Sequence, residues 1–271
     1  EKIIFLRKMR RIVNLYLQTS LHVSLSVTAF TLLTFLQLKL PVDTFLLGYT
    51  FFASVVAYNF IKYAPVWMKG NLYQPTLIKY VTAIFFIGLL ISVFFVPFKV
   101  IQLSTSLAFL IYAYTFPVSR HIKKLRQIPL LKLLTIGFVW SIVSVLFPVF
   151  SAVKSIPISD IIFSVVERII WILALLLPFE VRDIADDSQS GKSVIKLIGI
   201  VKAKLIITGL LLLSISLNYI VNRHLTAVDL FIYTSLIISI LLTQMKQHPY
   251  YSSLLVESLP VLWVLFWVLI N

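Results

Sequence analysis

The segment EVRDIADDSQSGKS, at residues 180–193, carries the acids of the sequence that are best placed for chemistry. Four of the ten Asp and Glu residues of the chain fall within these fourteen positions. Glu180, Asp183 and Asp187 are spaced i, i+3 and i+7, so a helix would stack them on one face. Mg²⁺ commonly binds one or two carboxylates and completes its shell with water and phosphate oxygens. The spacing therefore favours a Mg²⁺ site that binds a phosphate or diphosphate.

A solvated helix end without a ligand is the alternative interpretation of these acids. Arg182, Lys192 and Lys196 are near enough in sequence to neutralise them. Any metal would have to use oxygen ligands, because the chain has no cysteine and its four histidines show no zinc-type spacing.

The elements that position these residues are membrane helices. Hydrophobic residues make up 60% of the 271 positions, whereas soluble domains average roughly 45–50%. They occur in repeated runs long enough to cross a bilayer. We predict an all-α integral membrane protein with one domain over residues 1–271, because no linker is long or polar enough to separate two soluble domains. The nine predicted spans cover approximately 12–36, 43–64, 77–97, 100–117, 130–152, 158–181, 203–221, 227–245 and 253–270.

The distribution of basic residues predicts the orientation of the chain. With the N-terminus in the cytoplasm, nineteen Lys and Arg residues lie on the cytoplasmic side and four on the other. We therefore expect a multi-pass protein of the inner or cytoplasmic membrane, with the acidic segment on the cytoplasmic side, where clustered acids are unusual. The net charge of +14 then reflects topology and attraction to anionic membrane lipids. A nucleic-acid partner is not expected, because the basic residues are divided among short membrane loops.

The acidic segment and the residues up to Gly199 resemble the second aspartate-rich motif of the UbiA superfamily of intramembrane prenyltransferases. The match includes the acids, Arg182, the pair Gly191–Lys192 and the hydroxyl residue Ser193, between the sixth and seventh predicted spans. Arg11 and Asn14, and the run from Tyr114 to Lys124, are also similar to the family. The resemblance implies a nine-helix UbiA-like bundle with a polar pocket under a lateral, lipid-facing cavity.

The function implied by the resemblance is transfer of a prenyl group from an isoprenoid diphosphate to a lipophilic acceptor, such as a quinone, aromatic or lipid precursor. Glu180, Asp183 and Asp187 would then bind one Mg²⁺. The residues that would contact the diphosphate are Asn59, Lys62, Arg120, Lys124 and Lys192. The residues that would line the cavity are Asn14, Phe60, Tyr63, Tyr114 and Arg168.

The resemblance fails at the end of the second predicted span, where the family carries a first acidic motif and a second Mg²⁺. Asn59 is retained here, but Phe60, Tyr63 and Trp67 stand where acids are expected. Lys62 lies one helical turn from Asn59 and is a candidate substitute for the missing cation. Alternatively, Lys62 extends its charge to the membrane edge as many lysines do. The chain could therefore be an active prenyltransferase or a non-catalytic paralogue that binds an isoprenoid or a phospholipid.

Three further ionisable residues lie inside predicted spans. Glu167 and Arg168 occur in the sixth span, and Glu257 occurs in the ninth. Charges at such depth are costly and usually face the interior of a bundle. We expect Arg168 to form an ion pair with Glu167 or Glu257. A secondary transporter is less favoured, since the sequence shows no internal repeat.

Overall fold

The computed structural model describes residues 2–68, 76–117, 124–184, 193–220 and 225–270, with side chains described from Arg7 onward. All regular structure within these ranges is helical. The α-helices are α1 (Lys2–Gln18), α2 (Leu21–Gln37), α3 (Thr44–Trp67), α4 (Thr76–Ser92), α5 (Phe98–Thr115), α6 (Pro129–Ser151), α7 (Ile158–Asp183), α8 (Val194–Ile198), α9 (Ile200–Ile220), α10 (Ala227–Leu242) and α11 (Leu259–Ile270).

The helices confirm an all-helical membrane bundle, and each predicted span overlaps at least one of them. Among the described residues, six helical stretches are long and apolar enough to cross a bilayer. The pair α1–α2 qualifies as a seventh if it is one bent span. Helix α10 is apolar but has only 16 residues. The predicted number of nine spans is therefore not confirmed by helix length and composition.

The first predicted span is not continuous. Helices α1 and α2 meet at Thr19 and Ser20 with a bend of 56°. Ser20 has φ 62°, in the left-handed region that costs a non-glycine residue roughly 1–3 kcal/mol. The Ser20 hydroxyl donates a buried 2.8 Å hydrogen bond to Asn59 Oδ1 of α3, which helps to offset this strain.

The last predicted span also begins irregularly. Residues Tyr251–Leu255 form a wide turn with π-helical hydrogen bonding, and Val256–Ser258 form a short 3₁₀ turn before α11. Helix α2 holds this segment: the Ser26 hydroxyl donates to the Glu257 carbonyl, and His22 Nε2 lies 3.1 Å from the Leu254 carbonyl oxygen.

Two buried apolar clusters stabilise the bundle, and helices α2 and α6 contribute to both. The larger cluster is centred on Trp171, whose ring centroid lies 4.4 Å from that of Trp263 and 4.7 Å from that of Tyr233. This cluster joins α7, α10 and α11. The smaller cluster joins α3, α5 and α6 around Leu46 and Phe147. Because lipid gives little hydrophobic driving force between helices, close aromatic packing of this kind holds membrane helices together.

Candidate functional site

Two adjacent cavities lie between the helices. The larger, the apolar cavity, has a volume of about 580 Å³ and is lined mostly by apolar and aromatic side chains of α2 to α6. The smaller, the polar pocket, has a volume of about 350 Å³ and is lined by α1, α2, α3, α6, α7 and the turns before α11. Its charged side chains are Lys62, Lys132, Glu180, Arg182, Asp183 and Glu257.

An aromatic wall lies where the two cavities meet. Tyr58, Ile136 and Trp140 line both cavities. Trp140 Nε1 donates a hydrogen bond to the Tyr58 hydroxyl, and the two rings meet edge to face with centroids 6.1 Å apart. A ligand with a charged end and an apolar chain could therefore occupy both spaces by passing this wall.

Helix α7 brings two of the predicted metal ligands into the polar pocket. Glu180 is buried, and its Oε1 forms an ion pair with Lys132. Its other oxygen, Oε2, is buried and has no hydrogen-bond partner among the described residues. Asp183 Oδ1 accepts hydrogen bonds of 3.1 Å and 2.9 Å from the Arg182 guanidinium. The pocket therefore offers carboxylate oxygens, and one of them is unsatisfied.

These donors fit a hard cation, which prefers oxygen ligands. The orphaned Glu180 Oε2 is the observation that favours such an ion, since an unpaired buried carboxylate oxygen is costly. Among the described residues, however, no three His, Asp or Glu side chains form a metal-binding group. The third predicted ligand, Asp187, lies outside the described residues.

Helix α3 contributes the lysine that the sequence singled out. Lys62 Nζ donates to Ser20 Oγ at 2.8 Å and to the Leu17 carbonyl at 3.2 Å. The side chain lines the polar pocket together with Glu180 and Asp183. Lys62 therefore lies in the same pocket as the predicted metal ligands. A substitute for the missing cation would need this position.

Asn59 and Tyr63, two neighbours of Lys62 on α3, form hydrogen bonds near the break between α1 and α2 and line neither cavity. Asn59 Oδ1 accepts from Ser20, and Asn59 Nδ2 donates to Thr82 Oγ1 at 2.9 Å. The Tyr63 hydroxyl donates to the Gln18 carbonyl at 2.7 Å. The structure thus does not bring Asn59 or Tyr63 to the surface of either cavity. Together with Lys62 they satisfy polar groups that the break frees.

The remaining predicted residues divide between the apolar cavity and the edge of the bundle. Phe60 and Tyr114 line the apolar cavity. Asn14 accepts a 2.6 Å hydrogen bond from the Tyr250 hydroxyl, and the Lys124 ammonium lies 6.0 Å from the centre of the Phe116 ring. Neither Asn14 nor Lys124 lines a cavity. The predicted diphosphate contacts Arg120 and Lys192 lie outside the described residues.

Arg168 lies deeper in the bundle and lines neither cavity. Its guanidinium donates to Thr34 and Gln37 of α2 and lies 4.4 Å from the centre of the Phe30 ring. The expected ion pair with Glu167 or Glu257 is absent from the described part of the chain. Glu167 instead accepts hydrogen bonds from Asn218 of α9 and Tyr233 of α10.

Sequence reasoning missed two features of the site. Lys132, in the first turn of α6, contributes to the basic asymmetry of the sequence without any spacing that marks it as a site residue, yet it forms the ion pair with Glu180. Glu257, one of the two acids expected as a partner for Arg168, lines the polar pocket. The available signal in both cases was a charged side chain within an apolar segment, which usually faces the bundle interior.

Solved structures with a similar fold include the following three. A UbiA homologue from Aeropyrum pernix K1 has a TM-score of 0.64 and 13% sequence identity, over 92% of this chain and 98% of that one. A UbiA homologue from Archaeoglobus fulgidus bound to GPP and Mg²⁺ has a TM-score of 0.59 and 11% identity, over 93% and 96%. A structure of digeranylgeranylglyceryl phosphate synthase has a TM-score of 0.56 and 15% identity, over 94% and 97%.

By sequence, no protein-family model and no curated protein matches the chain. Identities of 11–15% with the solved structures establish a shared fold. The coverage of more than nine-tenths of both chains in each pair shows that this likeness concerns the whole bundle. The chain has the fold that these UbiA homologues share.

Proposed function

We propose that the protein is a UbiA-type prenyltransferase that moves a prenyl group from an isoprenoid diphosphate to a lipophilic acceptor. The observation that carries the proposal is the junction of the two cavities at Tyr58 and Trp140. A charged pocket joined to an apolar cavity matches a ligand with an anionic head and a hydrocarbon chain. The GPP and Mg²⁺ bound to the Archaeoglobus fulgidus homologue belong to that class of ligand and cation.

The headgroup would bind in the polar pocket. Lys62, Lys132 and Arg182 supply three positive charges there. Charge-assisted hydrogen bonds to phosphate oxygens are stronger than neutral ones. The acids of the same pocket would repel a diphosphate unless a cation lies between them, and Glu180 and Asp183, with Asp187, are the residues that would hold Mg²⁺. Such an ion neutralises charge on the leaving diphosphate.

The protein groups around the reacting carbon would then favour ionisation. Lys62, on α3, lines the same pocket as the acids of α7 and can stabilise negative charge as the bond between the prenyl C1 and the diphosphate oxygen breaks. The rings of Tyr58 and Trp140, at the junction, can stabilise positive charge on the prenyl group. The apolar cavity would hold the chain and exclude water from the carbocation. The acceptor would enter from the membrane.

A second candidate function is binding of an isoprenoid or phospholipid without catalysis. The observation that favours it is the use of Asn59, Lys62 and Tyr63 to hold the break between α1 and α2. These residues lie in the segment that the resemblance aligns with the family's first acidic motif, so a structural contact would stand in place of one metal site. Lys62 also lines the polar pocket, however, so it can still contact a diphosphate there as the catalytic proposal requires.

The experiment that separates the two functions uses the full chain in proteoliposomes with labelled geranylgeranyl diphosphate, with and without Mg²⁺. Transferase activity requires saturable binding and Mg²⁺-dependent release of diphosphate in the presence of an acceptor. Binding without release would support the non-catalytic function. Failure to bind prenyl diphosphates of any length would contradict the transferase function and leave phospholipid binding as the remaining candidate.

A further inference from the structure

Glu257 has no role in the functions described above, yet its side chain lies in the polar pocket. Within the described residues its carboxylate forms no hydrogen bond and no ion pair, although its backbone carbonyl accepts a hydrogen bond from Ser26. A carboxylate inside a membrane span is expensive, and such residues commonly serve function. The position of Glu257 therefore requires an explanation.

The irregular backbone before α11 keeps Glu257 in this position. The wide turn at Tyr251–Leu255 and the 3₁₀ turn at Val256–Ser258 replace regular α-helix, and insertions of this kind occur frequently at functional sites. Contacts from His22 and Ser26 fix the turns on α2. The fold thus maintains an unusual helix start in the segment that carries the acid.

The charges of the pocket argue against a role for Glu257 in binding the diphosphate. A diphosphate is itself strongly negative, so an additional carboxylate opposes its binding. Glu257 is also on a different element from the predicted metal ligands, Glu180 and Asp183 of α7. The other titratable groups that line the pocket are His22 of α2, Tyr58 and Lys62 of α3, Lys132 of α6, and Arg182 of α7.

The position of Glu257 relative to the aromatic wall is the decisive geometry. Glu257 and Tyr58 line the same pocket, and Tyr58 also lines the apolar cavity. A prenyl diphosphate with its head in the pocket and its chain in the cavity places its C1 carbon near this junction. An acceptor that attacks C1 must lose a proton, and within the described residues Glu257 is the acid of this pocket that lies outside α7 and its predicted metal ligands.

We propose that Glu257 is a catalytic residue, the general base that takes this proton; the inference rests on the proposed transferase function. The bond between C1 and the diphosphate oxygen breaks, and its electron pair leaves with the diphosphate. An electron pair of the acceptor, on a hydroxyl oxygen or an electron-rich aromatic ring, forms the new bond to C1. The acceptor's proton passes to the Glu257 carboxylate, and the electrons of that O–H or C–H bond remain with the acceptor.

The test compares the wild-type chain with Glu257→Gln, which removes the charge at nearly constant volume. Glu167→Gln is the matched control, because Glu167 is also a buried intramembrane acid but lines neither cavity. Each variant, in lipid nanodiscs with Mg²⁺, is assayed for binding of geranylgeranyl diphosphate. Single-turnover transfer is then measured with two acceptor probes, 4-hydroxybenzoate as a phenol and geranylgeranylglyceryl phosphate as an alcohol.

For Glu257→Gln we expect unchanged or tighter binding of the prenyl diphosphate and a loss of transfer of about 10²–10⁴-fold, the usual contribution of a general base. Glu167→Gln should retain transfer in proportion to the folded protein recovered. Equal losses of binding and transfer in Glu257→Gln would show that the acid only positions Lys62, which overturns the inference.

The remaining outcomes separate the inference from the proposed function. Transfer by Glu257→Gln within about threefold of wild type falls well short of the loss expected for a general base. That result contradicts the inference and leaves the transferase function intact. A wild-type chain that binds the prenyl diphosphate but transfers to neither probe and releases no diphosphate contradicts the transferase function, and the inference with it.

Discussion

Lys62 Nζ and Ser20 Oγ are joined by a 2.8 Å hydrogen bond that ties helix α3 to the break between α1 and α2. Ser20 also donates to Asn59, so one hydroxyl links two residues of α3. In the α3 segment whose sequence resembles a degenerate acidic motif, Asn59 and Lys62 thus contact the break between α1 and α2. The same lysine lines the polar pocket, so its two roles are this structural contact and the proposed contact with a diphosphate.

The first prediction separates the two roles of Lys62. Lys62→Met removes the charge but keeps an apolar side chain of similar length. If Lys62 contacts the diphosphate, loss of a charge-assisted hydrogen bond of about 1.5–3 kcal/mol should weaken binding roughly ten- to hundredfold. Binding of labelled geranylgeranyl diphosphate measures the effect.

The control for Lys62 is Tyr63→Phe, which removes the hydrogen bond to Gln18 without altering charge. Tyr63 holds the same break but lines neither cavity. It should leave ligand affinity nearly unchanged. If both variants weaken binding equally, Lys62 acts through the break; if neither does, the lysine is not a ligand contact and the non-catalytic function is favoured.

The second prediction concerns the acids at the end of α7. Asp183→Asn combined with Asp187→Asn should abolish Mg²⁺-dependent binding of a prenyl diphosphate, because Mg²⁺ requires carboxylate oxygens. Asp160→Asn, at the opposite end of α7, is the control and should bind normally. If binding is insensitive both to the double substitution and to EDTA, the acids form only a solvated helix end and hold no metal.

Apolar runs in the sequence were sufficient to predict the helical bundle, since spans of this kind are set by local composition. The break at Ser20 could not be predicted, because no Gly or Pro marks it and its hydrogen bonds come from α3, about 40 residues away. For Arg168, helical periodicity indicated an inward direction but not a partner. Thr34 and Gln37 are contributed by another helix, and only packing decides which helix that is.

The acidic segment illustrates the same division between local and long-range information. The spacing of Glu180 and Asp183 placed both acids on one face of a helix, and the structure has both in the polar pocket. The ion pair between Glu180 and Lys132 depends on how α6 packs against α7. Sequence spacing carries no information on such a contact.

The third prediction tests the path of the prenyl chain. Ala57 of α3 lines the apolar cavity, and Ala57→Phe would place a ring within it. Overpacking typically costs about 1–3 kcal/mol, so affinity for geranylgeranyl diphosphate should fall by about tenfold or more. Geranyl diphosphate should be affected less, and inorganic diphosphate not at all. Ala113→Phe on α5, which does not line the cavity, is the control; equal losses for all three ligands would place the chain elsewhere.

The fourth prediction tests the orientation derived from the basic residues. Because the chain has no cysteine, Ser190→Cys and Ser155→Cys each introduce a single thiol. A membrane-impermeant maleimide should label position 155 in intact cells, but position 190 only after the membrane is permeabilised. Labelling of position 190 in intact cells would place the polar pocket on the opposite side of the membrane.

The final prediction tests whether the polar pocket binds Mg²⁺, with a readout that does not depend on activity. Glu180 is buried and paired with Lys132, so Lys132→Met leaves a carboxylate without its counter-charge. Breaking such a pair typically costs about 3–5 kcal/mol, and the added substitution Glu180→Gln should recover much of that loss.

The Mg²⁺ dependence of thermal unfolding then identifies the site. If Glu180 Oε2 is a metal ligand, Mg²⁺ can replace the missing ammonium and should raise the unfolding temperature of Lys132→Met more than that of wild type. In the double variant Lys132→Met with Glu180→Gln this extra stabilisation should disappear, because the carboxylate is gone. Ca²⁺ should act less effectively if the site favours the smaller ion. An equal Mg²⁺ response in all three chains would show that Glu180 binds no cation, and the metal site would then have to be assigned to the acids that follow α7.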